Sequence, residues 1–417
     1  MSHCIENNKF SKDNLILYLL FSSMYFGSYF VVNAGVKISV IDIVLILSLF
    51  IKIFDNFTVR IGKNLYFLFI LMIVATAIEF VSVIFLDKGE LNNITLGIAI
   101  IRNLLFIIVV SNLKIIQDKA IKGIIYIGVF FSFIAIIYYL KYATMYDQII
   151  TSPELWEPEI FYTLDQGVLR LQGLQDDPNF FFLVNMIPLT FAILELKRKF
   201  RILMFIATII ILTASLLTFS RTGTIIITIF LLFVLLKNVK IKTIVHLVLI
   251  ANLLVLINWY LSIAKDIPFI YDILIYRFEK GVETGGSHRT VLWEIALRGF
   301  EESPIWGQGG RYTLKTGGNY THNDFLELLS SHGLIGFINF VLILSYIIFY
   351  IIKKRRMLKY NLLFTYTSHI VIIFIIAFMF FTIYYNPYFW FVIGLLFNKG
   401  VKCGFQLSSS HTTEKMS

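Results

Sequence analysis

Charge is what this chain has least of. Only 15% of its 417 residues are Asp, Glu, Lys or Arg, against 58% hydrophobic. A soluble protein of this length needs far more polar surface to cover its core, which excludes a water-soluble globular enzyme. Cysteine is nearly missing: only Cys4 and Cys403 are present. Both fall near the ends, on the side assigned below to the cytoplasm, so no disulfide is expected. There is no solenoid repeat and no low-complexity domain. Residues 1–13 are polar and the first apolar run is long enough to stay in a bilayer, so no cleavable signal peptide is expected. The net charge of +10 argues for no nucleic-acid partner, because the basic residues sit in short loops between apolar runs.

What is present in abundance is apolar sequence in runs of about 18 residues or more, the mark of membrane-spanning helices. Twelve stretches qualify: 14–34, 38–54, 65–86, 94–111, 121–140, 179–196, 202–219, 222–236, 243–263, 333–352, 362–385 and 387–401. The eighth and twelfth are short for a hydrocarbon core of about 30 Å, so eleven passes is the alternative count. The expected fold is an all-α polytopic membrane protein. A cytoplasmic tail (1–13) precedes a single transmembrane domain (14–401), and a second cytoplasmic tail (402–417) follows it.

Lysine and arginine placement sets the orientation. With the N-terminus inside, most basic residues fall in inner loops, among them Lys52, Lys114, Arg198, Lys237 and Arg355. The short outer loops hold only Lys37, Lys88 and Arg221. Both long polar segments, 141–178 and 264–332, then lie outside. The first is acidic, with Glu154, Glu157, Glu159, Asp176 and Asp177, and closes with the turn-rich RLQGLQDDPNF. The second contains short helix-like patterns and is the expected catalytic loop.

Ionisable residues inside apolar runs are costly, at about 2.5–3.5 kcal/mol for a central arginine. Arg102 lies within the fourth stretch, Asp42 begins the second, and Glu79 sits in the outer half of the third. Two readings of Arg102 are open: a phosphate-facing cation, or a structural partner of Glu79 or Asp42. His246 and His369 read as packed polar groups. Arg221 is stranded at a Ser-Arg-Thr-Gly turn between two apolar runs. A planar, permanently charged guanidinium suits a phosphate, and interfacial snorkelling is the competing reading.

In the second long loop, SHRTVLWEIALRGFEE has helical apolar spacing, with Arg289 and Arg298 off its apolar face. SPIWGQGG breaks that helix. Thr321-x-x-Asp324 then reads as a capping box, which places His322 and Asn323 in the first turn of the next helix. A helix N-terminus disfavours imidazolium, so a histidine there stays neutral and able to accept a proton. The alternative is that His322 merely caps or packs. The outer side carries no Asp-x-Asp and no closely spaced histidine cluster, so no metal and no cofactor are expected.

Four motifs now stand in order: Arg170…Gly173…Pro178-Asn179; Ser220-Arg221-Thr-Gly223; Arg289-x3-Trp293 with Pro304 and Gly307-x-Gly309; and His322-Asn323 followed by Gly333-x-x-Gly336. In this the sequence resembles the O-antigen ligase/polymerase superfamily of bacterial membrane proteins, which includes Wzy-type polymerases. The resemblance implies a GT-C-like glycosyltransferase in the bacterial plasma membrane. It would act outside on undecaprenyl-pyrophosphate-linked glycan, among membrane lipids, with a flippase and a chain-length regulator as partners. It also implies that Arg221 and Arg289 hold the donor diphosphate and that His322 assists the acceptor. Arg170, Arg298, Asn323 and Arg102 complete the substrate-binding set. Polymerase is preferred to ligase because Trp156, Phe161 and Tyr162, among carboxylates, would offer stacking platforms to a sugar chain. A transporter or flippase is the third reading; it would need polar residues strung through the spans.

Overall fold

A computed structural model describes residues 12–27, 31–33, 37–55, 61–86, 91–143, 161–165, 168–236, 289–358 and 361–398. The expected ninth span, His246, Trp156, both cysteines and most of the acidic outer loop lie outside the described residues.

The elements are α1 (Lys12–Ser23), β1 (Val31–Asn33), β2 (Lys37–Ser39), α2 (Val40–Phe54), α3 (Lys63–Phe85), α4 (Leu91–Asn112) and α5 (Gln117–Ala143). Then follow β3 (Tyr162–Asp165), β4 (Val168–Leu171), α6 (Pro178–Arg198), α7 (Ile202–Leu216) and α8 (Arg221–Leu236). The chain closes with α9 (Arg289–Glu302), α10 (Tyr312–Gly317), α11 (Asp324–Arg355), α12 (Leu362–Ala377) and α13 (Pro387–Phe397). The strands form only two short antiparallel hairpins, β1–β2 and β3–β4. The described chain is therefore that of an all-α membrane protein.

Five helices, α3, α4, α5, α6 and α11, are long and apolar enough to cross a bilayer. Several other expected spans hold shorter helices, and two of the shortenings have a visible cause. α1 stops at Ser23, not at residue 34. Beyond it, Gln175 Nε2 donates to the Met24 carbonyl at 2.6 Å and Gly27 N–H donates to the Leu174 carbonyl at 2.7 Å. Backbone that would have continued the helix is satisfied by the loop before α6 instead. The eleventh expected span ran to 385, but α12 ends at Ala377. Residues 378–386 are irregular, and Pro387 opens α13 at its first turn.

α6 and α13 form the centre. All eleven residues of α13 are buried, and a Cβ on Gly394 would lie 2.7 Å from Val110 of α4. Pro188 sits inside α6 with its ring against Gly128 of α5, where a Cβ would come within 2.5 Å. By contrast α3, α5 and α11 leave Phe67, Phe130, Phe133 and Phe349 exposed, as lipid-facing helices do.

Basic residues gather at one end. Lys52 pairs with buried Asp13 at 2.7 Å, Asp13 also accepts from Lys114 N–H at 2.6 Å, and Arg198 reaches Glu195 at 2.8 Å and Asp118 at 3.9 Å. α6 carries Arg198 at this end and Asp177 at the other.

Candidate active site

Four helices begin at the end opposite that basic cluster, and their first residues come together. Asp177 caps α6, its Oδ1 accepting from Asn179 N–H at 2.6 Å, with Pro178 in the first turn. Ser220 precedes α8 and its Oγ accepts from Gly223 N–H at 3.1 Å, which puts Arg221 in the first turn. Arg289 opens α9. Asn323 caps α11, its Oδ1 accepting from Phe325 and Leu326 N–H at 3.0 and 3.2 Å. Each of these ends carries the partial positive charge of a helix N-terminus.

Arg170 joins two of them. Its Nε donates to the Thr218 carbonyl at 3.0 Å and its Nη2 to Asn179 Oδ1 at 3.4 Å. It therefore ties the turn carrying Arg221 to the start of α6. Burial lowers the pKa of Arg289, and the Arg221 charge lowers it further while Asp177 opposes. Burial also lowers the pKa of His322, with Arg289 adding to the effect and Asp177 again opposing. Arg289 thus lies within electrostatic reach of Arg221, His322 and Asp177, residues from four stretches of sequence far apart.

His322 lines a narrow slot of about 50 Å³ with Asp177, Asn179, Tyr320, Phe381 and Thr382. That volume is well below the roughly 300–1,000 Å³ of whole-ligand pockets, so the slot takes a reacting end and not a complete substrate. Burial raises the Tyr320 phenol pKa, which keeps it a neutral donor.

The capping box is corrected. Thr321 does not cap α11; its hydroxyl and N–H both donate to buried Glu327 Oε2, at 3.1 and 3.2 Å, where Thr313 donates as well, at 2.7 Å. Asn323 takes over the cap. His322 therefore stands just before the helix, not in its first turn, in the left-handed region with φ 51°. Trp293 Nε1 donates to the Thr321 carbonyl at 3.0 Å, which fixes His322 relative to α9.

Two expected members stand apart. Arg298 is exposed; nine residues beyond Arg289, it lies on the opposite face of α9. Arg102 pairs with Asp42 at 3.5 Å and donates through Nη2 to the Tyr385 carbonyl at 2.8 Å. Glu79 instead meets His332 Nε2 at 3.0 Å and accepts from the Tyr385 hydroxyl at 2.9 Å. His369 Nδ1 lies 2.7 Å from the Thr365 carbonyl, the packed role expected of it.

Several residues were not singled out from sequence. Asp177 stands in the sequence only as one acid of the outer loop and Asn179 only as part of a motif, and Tyr320 and Thr382 carry no sequence signal. Asp324 is fully buried, and its carboxylate accepts from Ile383 and Tyr384 N–H at 2.8 and 3.1 Å. It pins the irregular segment carrying Phe381 and Thr382 against His322.

The glycine motifs grip each other. α11 breaks at Gly333, with φ 59° and ψ −157°. The break frees the carbonyls of Ser330 and Ser331, which accept from Gln308 and Gly309 N–H at 2.8 and 3.0 Å. Leu334 N–H donates to the Pro304 carbonyl at 2.8 Å. The loop after α9 is thereby locked into the broken helix.

An apolar helical protein therefore carries a histidine-lined slot, with Arg289 close enough to act on that histidine. Residues 203–341, about a third of the chain, match the family model described as O-antigen ligase. The match supports the O-antigen ligase/polymerase superfamily, and with it an enzyme of ligase or polymerase type. It takes in Arg221, Arg289 and His322. No curated protein matches the chain.

Proposed function

We propose that this protein is a glycosyltransferase of the bacterial plasma membrane that polymerises undecaprenyl-pyrophosphate-linked oligosaccharides on the outer face. The observation that carries the reading is the coupling of Arg289 to both Arg221 and His322 at the starts of neighbouring helices. In this reading neutral His322 takes the proton from an acceptor hydroxyl as its oxygen attacks the anomeric carbon of the donor sugar. A new glycosidic bond forms, the bond from anomeric carbon to phosphate oxygen breaks, and the lipid diphosphate leaves with its negative charge. Arg221 and Arg289 stabilise that charge, supported by the N-terminal ends of α6 and α8. No metal is required for these steps. About twelve passes, a GT-C-like arrangement, cytoplasmic termini and external loops 141–178 and 264–332 belong to the same reading. So do a flippase and a chain-length regulator as partners.

The preference for polymerase over O-antigen ligase rests on the acidic sequence of 141–178. Two of the aromatics expected as stacking platforms are already engaged within the protein: Phe161 stacks on Tyr138, centroids 4.2 Å apart, and Tyr162 packs on Tyr142 at 4.5 Å. Deleting the gene and sizing the surface glycan decides the matter. Single repeat units on the final carrier support the polymerase. Long chains left on the lipid carrier support the ligase and overturn our choice.

A further inference from the structure

A second cavity, about 280 Å³, lies on the other side of Phe180, which lines both it and the slot at His322. Its lining includes the polar side chains of Asp42, Arg102, Asp176 and Asn386 and the rings of Phe180 and Tyr388. We propose that this cavity binds one sugar ring of the glycan substrate, a step that rests on the transferase reading above.

Three observations point to a saccharide. The first is charge. The His322 region sets Arg221 and Arg289 against Asp177 and suits an anion. The cavity has two carboxylates and one guanidinium, and that guanidinium already faces Asp42 at 3.5 Å. Such a lining disfavours a phosphate and suits a neutral ligand rich in hydroxyls, each able to donate to a carboxylate. The second is Asn386. It stands at the N-cap of α13, yet its side chain makes no capping hydrogen bond and lines the cavity instead. A residue at a position that ordinarily satisfies helix N–H groups presents its amide to a ligand. The buried Arg102 Nε likewise has no hydrogen-bond partner. The third is the pair of rings. Phe180 and Tyr388 stand edge to face, centroids 6.5 Å apart, and the Tyr388 hydroxyl is held by Gln175 Oε1 at 2.8 Å. A fixed aromatic face beside carboxylates and an amide matches the two kinds of surface a pyranose presents, polar at its rim and apolar across its ring. The volume is at the small end of ligand pockets, which limits the occupant to about one residue of a chain.

The test uses the full-length protein in detergent and methyl glycosides of the sugars in the host's surface glycan. Saturation-transfer NMR is expected to show one of them bound, with the signal falling at least fivefold in Asn386→Ala and in Asp176→Asn. Inorganic pyrophosphate binding, kept in both variants, reports that they are folded. Binding that is unchanged in both, or that disappears with Arg221→Ala alone, overturns the subsite. Turnover with a lipid-linked oligosaccharide and a short soluble glycan then identifies the source of the sugar. A raised KM for the soluble glycan in Asn386→Ala assigns the acceptor, and a raised KM for the lipid-linked substrate assigns the donor. If Asn386→Ala alters neither KM, the subsite fails. The transferase reading still stands in that case if Arg221→Ala abolishes turnover.

Discussion

Gly307 and Gly333 stand where neither can carry a side chain. A Cβ on Gly333 would lie 2.4 Å from the Ile305 carbonyl oxygen and 2.7 Å from Gly307 N. A Cβ on Gly307 would lie 2.4 Å from both Ser331 O and His332 N. Both residues also have positive φ, at 76° and 59°. Left-handed backbone costs an alanine about 1–2 kcal/mol, and here backbone atoms that cannot move aside add to it. Gly307→Ala and Gly333→Ala are expected to lower the melting temperature sharply and abolish long glycan. Gly318, φ 74° with nothing within 4 Å of a Cβ, is the control, and its alanine variant is expected to lose only the backbone contribution.

His322 sets an expectation for pH. Its pKa is held below the ordinary imidazole value of about 6.5 by burial and by Arg289. The neutral form is the active base, so the rate falls on the acid side of this lowered pKa. Replacing Arg289 with Gln removes a depressing charge and is expected to raise the His322 pKa, read from the imidazole's NMR titration because that variant loses turnover. Asp177→Asn removes the opposing charge and is expected to move the acid limb lower. The folded state binds this proton less readily than the unfolded chain, so the histidine's contribution to stability is complete above about 6.5 and is lost as pH falls below it. A pH–rate profile whose acid limb coincides in the wild type and Asp177→Asn removes His322 as the base.

The cationic pair gives a sharper test of site assignment. His322→Ala is expected to lower turnover by roughly 10²–10⁴-fold while membrane insertion is retained. Arg221→Ala is expected to abolish the glycan ladder, and Arg289→Lys to fail as well if diphosphate contact is bidentate. Exposed Arg298, on the far face of α9, is expected to tolerate alanine with less than about a twofold change. A ladder of normal length from Arg221→Ala would remove the diphosphate role.

Tyr385→Phe tests the buried cluster separately. The variant deletes a hydroxyl that bonds Glu79 at 2.9 Å and lies 3.2 Å from His332 Nε2. Losing a buried partner of a carboxylate costs about 1–3 kcal/mol, read as a lower melting temperature in detergent. The acid limb of the pH profile is expected not to move, because this cluster does not line the slot at His322.

Chelation is expected to leave turnover unchanged, since among the described residues no group of three His, Cys, Asp or Glu side chains is placed to hold an ion. Loss of activity in EDTA, restored by a divalent cation, would overturn the assignment of leaving-group charge to Arg221 and Arg289.

Arg221 stands out in the sequence as a charge between two apolar runs, and Arg289 and His322 as parts of motifs in the long polar loop. Arg102 and Asp42 were visible as charges in apolar runs, and one of the two partners considered for the arginine is the one found. Glu79 was visible too, but its partner His332, ten positions beyond the motif histidine, carries no sign of the pairing in the sequence. Both glycine motifs were readable, yet their embrace was not, because hydrogen bonds between main chains leave no trace in side-chain pattern. The cap at Thr321 was misread for a related reason: two residues there can cap, and Glu327, six positions on, had claimed the first. Hydropathy likewise overran α1 and α12. It counts apolar residues and cannot see a loop supplying the next hydrogen bond.

The short first helix bears on the order in which the protein is built. α1 is 12 residues, about 18 Å, and its far end is completed by Gln175, which lies 151 positions downstream of Met24. Its near end waits on Lys52 and on the Lys114 backbone. During synthesis α1 therefore stays unfinished until α6 is about to emerge, and a chain cut before residue 175 leaves the Met24 carbonyl without its Gln175 donor.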